Sequence, residues 1–394
     1  LVDAGAIGGL LRDGLLVERE RDVPVEPPPE VAFPVSAPPE LTRAQRAAVD
    51  RIVEALDGGG YHALSLFGVT GSGKTEVYLR AAEAALARGR SALFLSPEIG
   101  LTPQLAHALR ERFGELVVVL HSGLNDRQRY DAWQRVRRGE VRLVVGARSA
   151  LFAPLDRPGL IVIDEEHDGG YKQEESPRYH ARDLALVRAR EAGAVAVLGS
   201  ATPSLEVWSL AERGKAERVR LPERVSGGQL AAVELIDMRE EFAATGEDRP
   251  ISRPLAEGLG ETLARHEQAI VLINRRGQTR SLVCRECGEP IGCEACSISL
   301  TWHRVGERLR CHFCGHARPR PQSCPSCSSP HLTDVGHGTQ RVEEELQRRL
   351  PEARIERLDR DAVRSARRLA ELLDGFSRGE IDVLVGTQMI AKGH

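Results

Sequence analysis

The sequence lacks any long hydrophobic run. Hydrophobic residues make up 41% of its 394 positions. No apolar stretch approaches the ~20 residues a membrane-spanning helix requires, so a soluble chain with no membrane partner is expected. A charge bias is missing too: 54 basic residues against 57 acidic ones leave a net −3, which argues neither for nor against a nucleic-acid partner. There is no signal peptide and no short-period repeat. The chain opens on Leu1 rather than Met, so an upstream piece is expected to be missing. Cysteine is absent outside one segment, where all eight form four Cys-x-x-Cys pairs between Cys284 and Cys327. Disulfides would not require that clustering, whereas metal binding does. Such thiolate sites persist in a reducing compartment, which points to the cytoplasm.

The stretch Gly68-Val69-Thr70-Gly71-Ser72-Gly73-Lys74-Thr75 follows an apolar run, Ala63 to Phe67, and precedes a helical pattern from Glu76. Strand, glycine-rich turn, Lys-Thr and helix form the P-loop arrangement. Its glycines let backbone N–H groups cradle phosphate oxygens at a helix N-terminus. Lys74 would reach the β- and γ-phosphates and Thr75 would hold Mg²⁺. The cofactor expected is therefore ATP with Mg²⁺. Upstream, Thr42 caps an amphipathic helix with Ala48, Val49, Ile52, Val53 and Leu56 on one face, ended by Gly58-Gly59-Gly60. Apolar strands at 63–67, 92–95, 116–120, 142–145, 160–163 and 195–198 alternate with helices, the signature of a parallel sheet covered on both faces.

Composition divides the remainder. Residues 1–23 read as the end of a small upstream domain, a hairpin or winged helix, and 24–39, with seven prolines, as a semi-extended linker. A first lobe spans 40–230 and a second begins over 231–280. A zinc-binding insertion fills 281–330, and the second lobe resumes over 331–394 with helix 341–350, strand 354–358, helix 362–376 and strand 382–385. An α/β domain should not stop just after a buried strand, so a truncated C-terminal end is expected.

The strand Ile161-Val162-Ile163 feeds Asp164-Glu165-Glu166-His167, about ninety residues after the P-loop. Asp164 would coordinate Mg²⁺ and Glu165 would deprotonate the attacking water. His167 would pair with the second motor segment or the γ-phosphate side. Gly199-Ser200-Ala201-Thr202-Pro203-Ser204 follows another apolar strand and suits a sensor loop. P-loop, Asp-Glu-x-His and Ser-Ala-Thr, in that order, resemble superfamily 2 helicases, and Leu41-Thr42 with Gln45 is similar to their adenine-recognising segment.

Further stretches narrow the resemblance: Leu95 to Thr102, Leu120 to Leu124, Gly146 to Pro154, Tyr171-Lys172-Gln173, Pro177 to Asp183, Asn274-Arg275-Arg276-Gly277 and Gly386 to His394. From about residue 40 onward the chain resembles the PriA family of primosomal replication-restart helicases (primosomal protein N′). The resemblance implies two RecA-like P-loop lobes with parallel sheets, the second carrying a two-zinc insertion with four cysteines on each ion. ATP would bind between the lobes. It also implies a 3′→5′ DNA helicase that recognises stalled or abandoned forks and initiates primosome assembly to reload the replicative helicase. Forked and single-stranded DNA, single-stranded-DNA-binding protein and helicase-loading proteins are the implied partners. Lys74, Thr75, Asp164 and Glu165 carry over as nucleotide and Mg²⁺ groups. Arg148, Ser149, Tyr171, Lys172, Tyr179 and Arg275 are candidates for contact with DNA, the two tyrosines by stacking on bases at ~1–3 kcal/mol each.

Each Cys-x-x-Cys can give two thiolates to a tetrahedral Zn²⁺, so four knuckles make two four-cysteine sites. The inner knuckles are separated by 14 residues, a common zinc-ribbon spacing, and only five separate Cys287 from Cys293. Spacing therefore favours nesting: Cys293, Cys296, Cys311 and Cys314 on one zinc, and Cys284, Cys287, Cys324 and Cys327 on the other. The resemblance implies the same. His303, His312 and His316 are left as surface residues. With Trp302, Phe313 and nine arginines against four glutamates from Arg275 to Arg320, the insertion reads as a platform for DNA or a protein partner. Gly338-Thr339-Gln340 stands where the family has Gly-Thr-Glu, and the final arginine-rich motif is not reached, so slow hydrolysis by this stretch alone is expected. The rival readings are a non-motor fork-binding scaffold with weak or no ATPase, against which the intact P-loop and acids argue, and a zinc-dependent enzyme, which saturated four-thiolate sites disfavour.

Overall fold

A parallel sheet covered on both faces needs strands that are apolar throughout, and the first half of the chain supplies them. The computed structural model describes residues 13–14, 38–97, 102–120, 124–228, 231–273, 280–303, 306, 308–335, 339–359, 362–363 and 366–387. The expected upstream domain and most of the proline-rich linker lie outside these. So do Arg275, Glu98 to Leu101, His121 to Gly123, Gly338 and residues 388–394. Two compact units divide the chain after Gln229.

In the first unit, strands β1 (His62–Gly68), β2 (Ser91–Leu95), β3 (Val117–Leu120), β4 (Leu143–Gly146) and β5 (Pro158–Ile163) precede a small hairpin of β6 (Lys172–Gln173) and β7 (Tyr179–His180). Then come β8 (Val195–Ser200) and β9 (Glu217–Leu221). Seven of these form one sheet in the order β3-β4-β2-β5-β8-β1-β9, parallel at every pairing. Successive side chains alternate between faces. Leu64, Leu66, Phe94, Val145, Val162 and Val197 pack beneath one helical layer. Leu93, Leu95, Val144, Ile161, Ile163 and Leu198 pack beneath the other.

The helix Arg43–Gly58 starts with a capping box: Gln45 N donates to Thr42 Oγ1 at 3.2 Å, and Thr42 N to Gln45 Oε1 at 2.8 Å. Its fully buried stripe is Gln45, Ala48, Ile52 and Ala55. Val49 and Leu56 are only partly buried, so the face is turned from the expected one to bring Gln45 inward.

In the second unit, β10 (Ala269–Leu272), β16 (Ile355–Leu358) and β17 (Val383–Gly386) form a parallel sheet in the order β10-β17-β16. Ile251, Leu259, Val342, Leu346, Val383 and Val385 fill one face. Between β10 and β16 the chain makes a five-stranded antiparallel sheet from β11 (Arg280–Cys284), β12 (Thr301–His303), β13 (Arg308–Arg310), β14 (Ala317–Pro319) and β15 (Leu332–Val335). Its order is β14-β13-β12-β11-β15. Among the described residues no helix is long and apolar enough to cross a membrane.

Candidate functional site

Ligands of open parallel sheets bind outside the carboxyl ends of the strands. Three motifs emerge there from three adjacent strands: the P-loop after β1, the acidic turn after β5 and the Ser-Ala-Thr loop after β8. Gly73 takes φ +74° at the head of the helix Lys74–Ala87, and a Cβ there would run into the Gln45 amide. That amide is itself anchored, Gln45 Nε2 donating to Ser72 O at 2.9 Å. The upstream helix thus braces the loop. Ser72 Oγ is buried with no hydrogen-bond partner among the described residues, a donor available to a phosphate oxygen. Lys74 Nζ donates to Gly68 O at 3.1 Å and stands 4.0 Å from Glu165 Oε1. Thr75 is exposed in the first helical turn. An ammonium beside a glycine-rich loop at a helix N-terminus, with the Glu165 carboxylate 4.0 Å away, fits a nucleoside triphosphate.

The acidic turn is pinned from both sides. Asp164 N donates to Leu95 O at 2.9 Å and Glu166 N to Gly199 O at 3.1 Å. Between them Glu165 adopts φ +46°, a left-handed conformation that costs ~1–3 kcal/mol outside glycine and persists only where its surroundings impose it. Tyr78, fully buried one turn after Lys74, donates its hydroxyl to Asp164 Oδ1 at 2.9 Å. Gly199 leaves room for that ring, since a Cβ there would overlap the hydroxyl. Burial pushes the Asp164 carboxyl up to about 6. The Glu165 charge adds to this, while the Tyr78 hydroxyl and the Lys74 ammonium oppose it.

A Mg²⁺ ion held by Asp164 would have to displace that proton, so Mg²⁺-dependent nucleotide affinity is expected to fall about tenfold per pH unit below roughly pH 6. Tyr78→Phe removes a hydrogen bond that favours the carboxylate, so the acid limb should move to higher pH. Mg²⁺-ATP affinity measured from pH 5 to 8 in both proteins checks this. Superimposable limbs would show that Tyr78 does not act on Asp164.

His167 ties the acidic turn to the Ser-Ala-Thr loop: Nδ1 lies 2.8 Å from Ser200 Oγ, and Nε2 lies 3.5 Å from Thr202 Oγ1. Both contacts lie within the first unit. Glu166 makes a second link. Its Oε1 accepts from Ser204 N at 2.8 Å and its Oε2 from Ser204 Oγ at 2.7 Å and from Arg182 at 3.3 Å. Glu166 and Arg182 are 1% and 5% exposed. Such a pair costs about 3–5 kcal/mol to break from one side, and so fixes the turn.

The expected DNA contacts fare unequally. Tyr171 cannot stack on a base. It is fully buried, and its hydroxyl donates to Asp164 O at 2.6 Å and Leu95 O at 2.9 Å, so it supports the acidic turn from below. Tyr179 is half-buried with its ring edge-on to Phe152, centroids 5.4 Å apart. Arg148 donates to Lys172 O at 2.7 Å and Gly170 O at 3.3 Å and so braces the loop backbone. Ser149 and Lys172 are exposed.

The eight cysteines form the two nested tetrads, Cys284, Cys287, Cys324, Cys327 and Cys293, Cys296, Cys311, Cys314, with the sulfurs of each within 4.8 Å of one another. One turn is used four times. The first cysteine N–H donates to the carbonyl five residues on, and its carbonyl accepts from the N–H four residues on. That fourth residue has positive φ every time: Gly288, Ser297, Gly315 and Ser328. Four sulfurs at 2.3 Å from a tetrahedral Zn²⁺ lie ~3.75 Å apart. Here Cys284–Cys327 is 3.5 Å, Cys287–Cys324 3.7 Å and Cys293–Cys314 3.7 Å.

The thiol chemistry agrees. Burial raises the Cys284 thiol, but the N–H groups of Cys287 and Glu286 outweigh it and bring the thiol to about 7. The Cys314 N–H does the same for Cys311, also to about 7. The neighbouring thiol of Cys314, with burial, pushes Cys296 up to about 12. The N–H groups that lower Cys284 and Cys311 favour the thiolate, the form that ligates a metal. Both tetrads fit structural zinc.

The fold and site define the class: an ATP-binding lobe of DEAD/DEAH-box type. The family model described as DEAD/DEAH box helicase matches residues 42–209, and the PriA DNA helicase Cys-rich region domain matches 293–319. Replication restart protein PriA of Bacillus subtilis (strain 168) is 47% identical over 390 residues, covering 99% of this chain and 48% of the relative. The namesake protein of Synechocystis sp. is 45% identical over 401 residues (99% and 47%), and that of Treponema pallidum 44% over 353 residues (90% and 52%). Over nearly its whole length the chain is similar to the PriA family. It spans about half the length of these curated relatives.

Proposed function

We propose that this chain is motor machinery of a replication-restart DNA helicase. It would bind ATP, hydrolyse it and move 3′→5′ along one DNA strand, acting at stalled or abandoned forks to start primosome assembly and reload the replicative helicase. The observation that carries the reading is the convergence of Lys74, Asp164 and Glu165 at the ends of β1 and β5, with Lys74 Nζ 4.0 Å from Glu165. The P-loop N–H groups and Lys74 hold the β- and γ-phosphates. Gln45, braced against the loop, would read the base. Asp164 and Thr75 would hold Mg²⁺, which supplies charge neutralisation on the phosphates. Glu165 orients the attacking water and takes its proton. The Ser200–His167 contact offers a path by which the Ser-Ala-Thr loop senses that turn. Exposed Lys172 and Ser149 are candidates for the DNA backbone, with Arg275, and Tyr179 for a base. Single-stranded-DNA-binding protein and helicase-loading proteins are the partners this role implies, in the cytoplasm.

The test is ATP hydrolysis and unwinding by the full-length gene product, with and without forked DNA, on 3′- and 5′-tailed duplexes. Fork stimulation and unwinding from a 3′ tail, both lost in Lys74→Ala, are expected. Intact fork affinity and two bound zincs without stimulation would instead make the protein a scaffold.

A further inference from the structure

Outside the two tetrads, two histidines of the zinc-binding segment bring their ring nitrogens together. His303 closes β12, and His312 sits inside the Cys311–Cys314 knuckle. The β12–β13 pairing sets His303 opposite Arg308, and the knuckle turn, with Cys311 N donating to His316 O at 2.8 Å, carries His312 back beside it. Their Nε2 atoms are 3.1 Å apart, with ring centroids at 5.1 Å and planes inclined by 36°. Two N–H groups cannot face each other at that distance, so at least one Nε2 presents its lone pair to the other. A hydrogen bond between the imidazoles would satisfy the pair, but in an exposed position it adds little. Two imidazole nitrogens at 2.0–2.1 Å from one tetrahedral Zn²⁺ lie ~3.3–3.4 Å apart, within a few tenths of an ångström of the observed separation.

We propose that His303 and His312 form a third, exchangeable metal site that takes a borderline divalent transition metal, Zn²⁺ or its analogues Co²⁺ and Ni²⁺. Imidazole suits these ions. Among the described residues only the two tetrads bring together three or more ligand atoms. The third ion is therefore held by two protein ligands, with water in its remaining positions, and binds more weakly than the tetrad ions. Its geometry depends on the inner tetrad, because His312 is fixed by the turn that Cys311 and Cys314 close. A bound ion adds positive charge to a face on which Arg308 and Arg310 are already exposed.

The experiment is Co²⁺ titration of the zinc-loaded full-length protein, with metal content counted before and after dialysis against a mild chelator. The expected result is one equivalent beyond the two retained zincs, released by the chelator and weakened at least tenfold in His303→Gln and in His312→Gln, both of which keep two zincs. No third equivalent, or an undiminished one in both variants, overturns the proposal. Should a variant lose a tetrad zinc, X-ray absorption on the wild-type Co²⁺ decides: nitrogen scattering without sulfur upholds the site, and sulfur scattering overturns it.

Discussion

Glu165→Gln is expected to slow ATP hydrolysis by about 10²–10⁴-fold, the range a positioned general base contributes, while ATP affinity stays within a few-fold of wild type. Glutamine preserves the shape of the side chain. The turn that imposes φ +46° on this position is held by backbone hydrogen bonds from its neighbours, so the loop should survive the change. What is lost is the base beside the point Lys74 faces. Lys74→Ala should behave differently, weakening nucleotide binding as well as hydrolysis, because its ammonium sits within the glycine-rich loop. Single-turnover hydrolysis and nucleotide dissociation constants, measured for both variants in the full-length protein, separate the two roles. A Glu165→Gln enzyme within tenfold of the wild-type rate would remove Glu165 from the chemistry.

Breaking a cysteine tetrad should have the second largest effect. Structural zinc contributes about 10–16 kcal/mol of apparent binding free energy at neutral pH, and that energy is folding energy. Cys293→Ser is expected to leave one tightly bound zinc and to open the 280–335 segment to protease. The nesting gives a sharper outcome in double variants. Cys293→Ser with Cys311→Ser removes two ligands from a single tetrad and should still leave one zinc, whereas Cys293→Ser with Cys324→Ser strikes both and should leave none. A zinc count of zero for the first double variant would contradict the nested pairing.

Much of this was legible before any coordinates, because the informative patterns are local. The P-loop, the acids after β5 and the cysteine spacings each lie within a few residues, and consecutive apolar residues announced the buried parallel strands. β9 escaped notice because Glu217-Arg218-Val219-Arg220-Leu221 is an edge strand paired to β1 alone, and its charges mask its period. Tyr171 misled for a related reason. An aromatic residue after a turn next to acids looks like a stacking platform, and nothing in the chain says which way the ring points. Tyr78 hid in the opposite sense. Flanked by Val77, Leu79, Ala81 and Ala82 in a helical pattern, it carried no signal of its own, yet its fully buried ring carries a hydroxyl to a carboxylate 86 residues away. The Arg182–Glu166–Ser204 cluster was equally invisible, since three motifs had to be folded together before it existed.

The zinc-bearing sheet enters and leaves its host by neighbouring strands. β11 and β15 run antiparallel, Ser281 opposite Val335 and Cys284 opposite Leu332. Some fifty residues are thus spliced into the second unit through a doorway about one strand spacing wide, ~5 Å. The outer tetrad clasps that doorway, joining Cys284 and Cys287 at the entrance to Cys324 and Cys327 at the exit. The helicase-type sheet around it feels only the closure of a short gap, because the entropy of the long excursion is carried by metal and not by the host. The excursion can therefore diverge in length and surface while the sheet that received it stays unchanged.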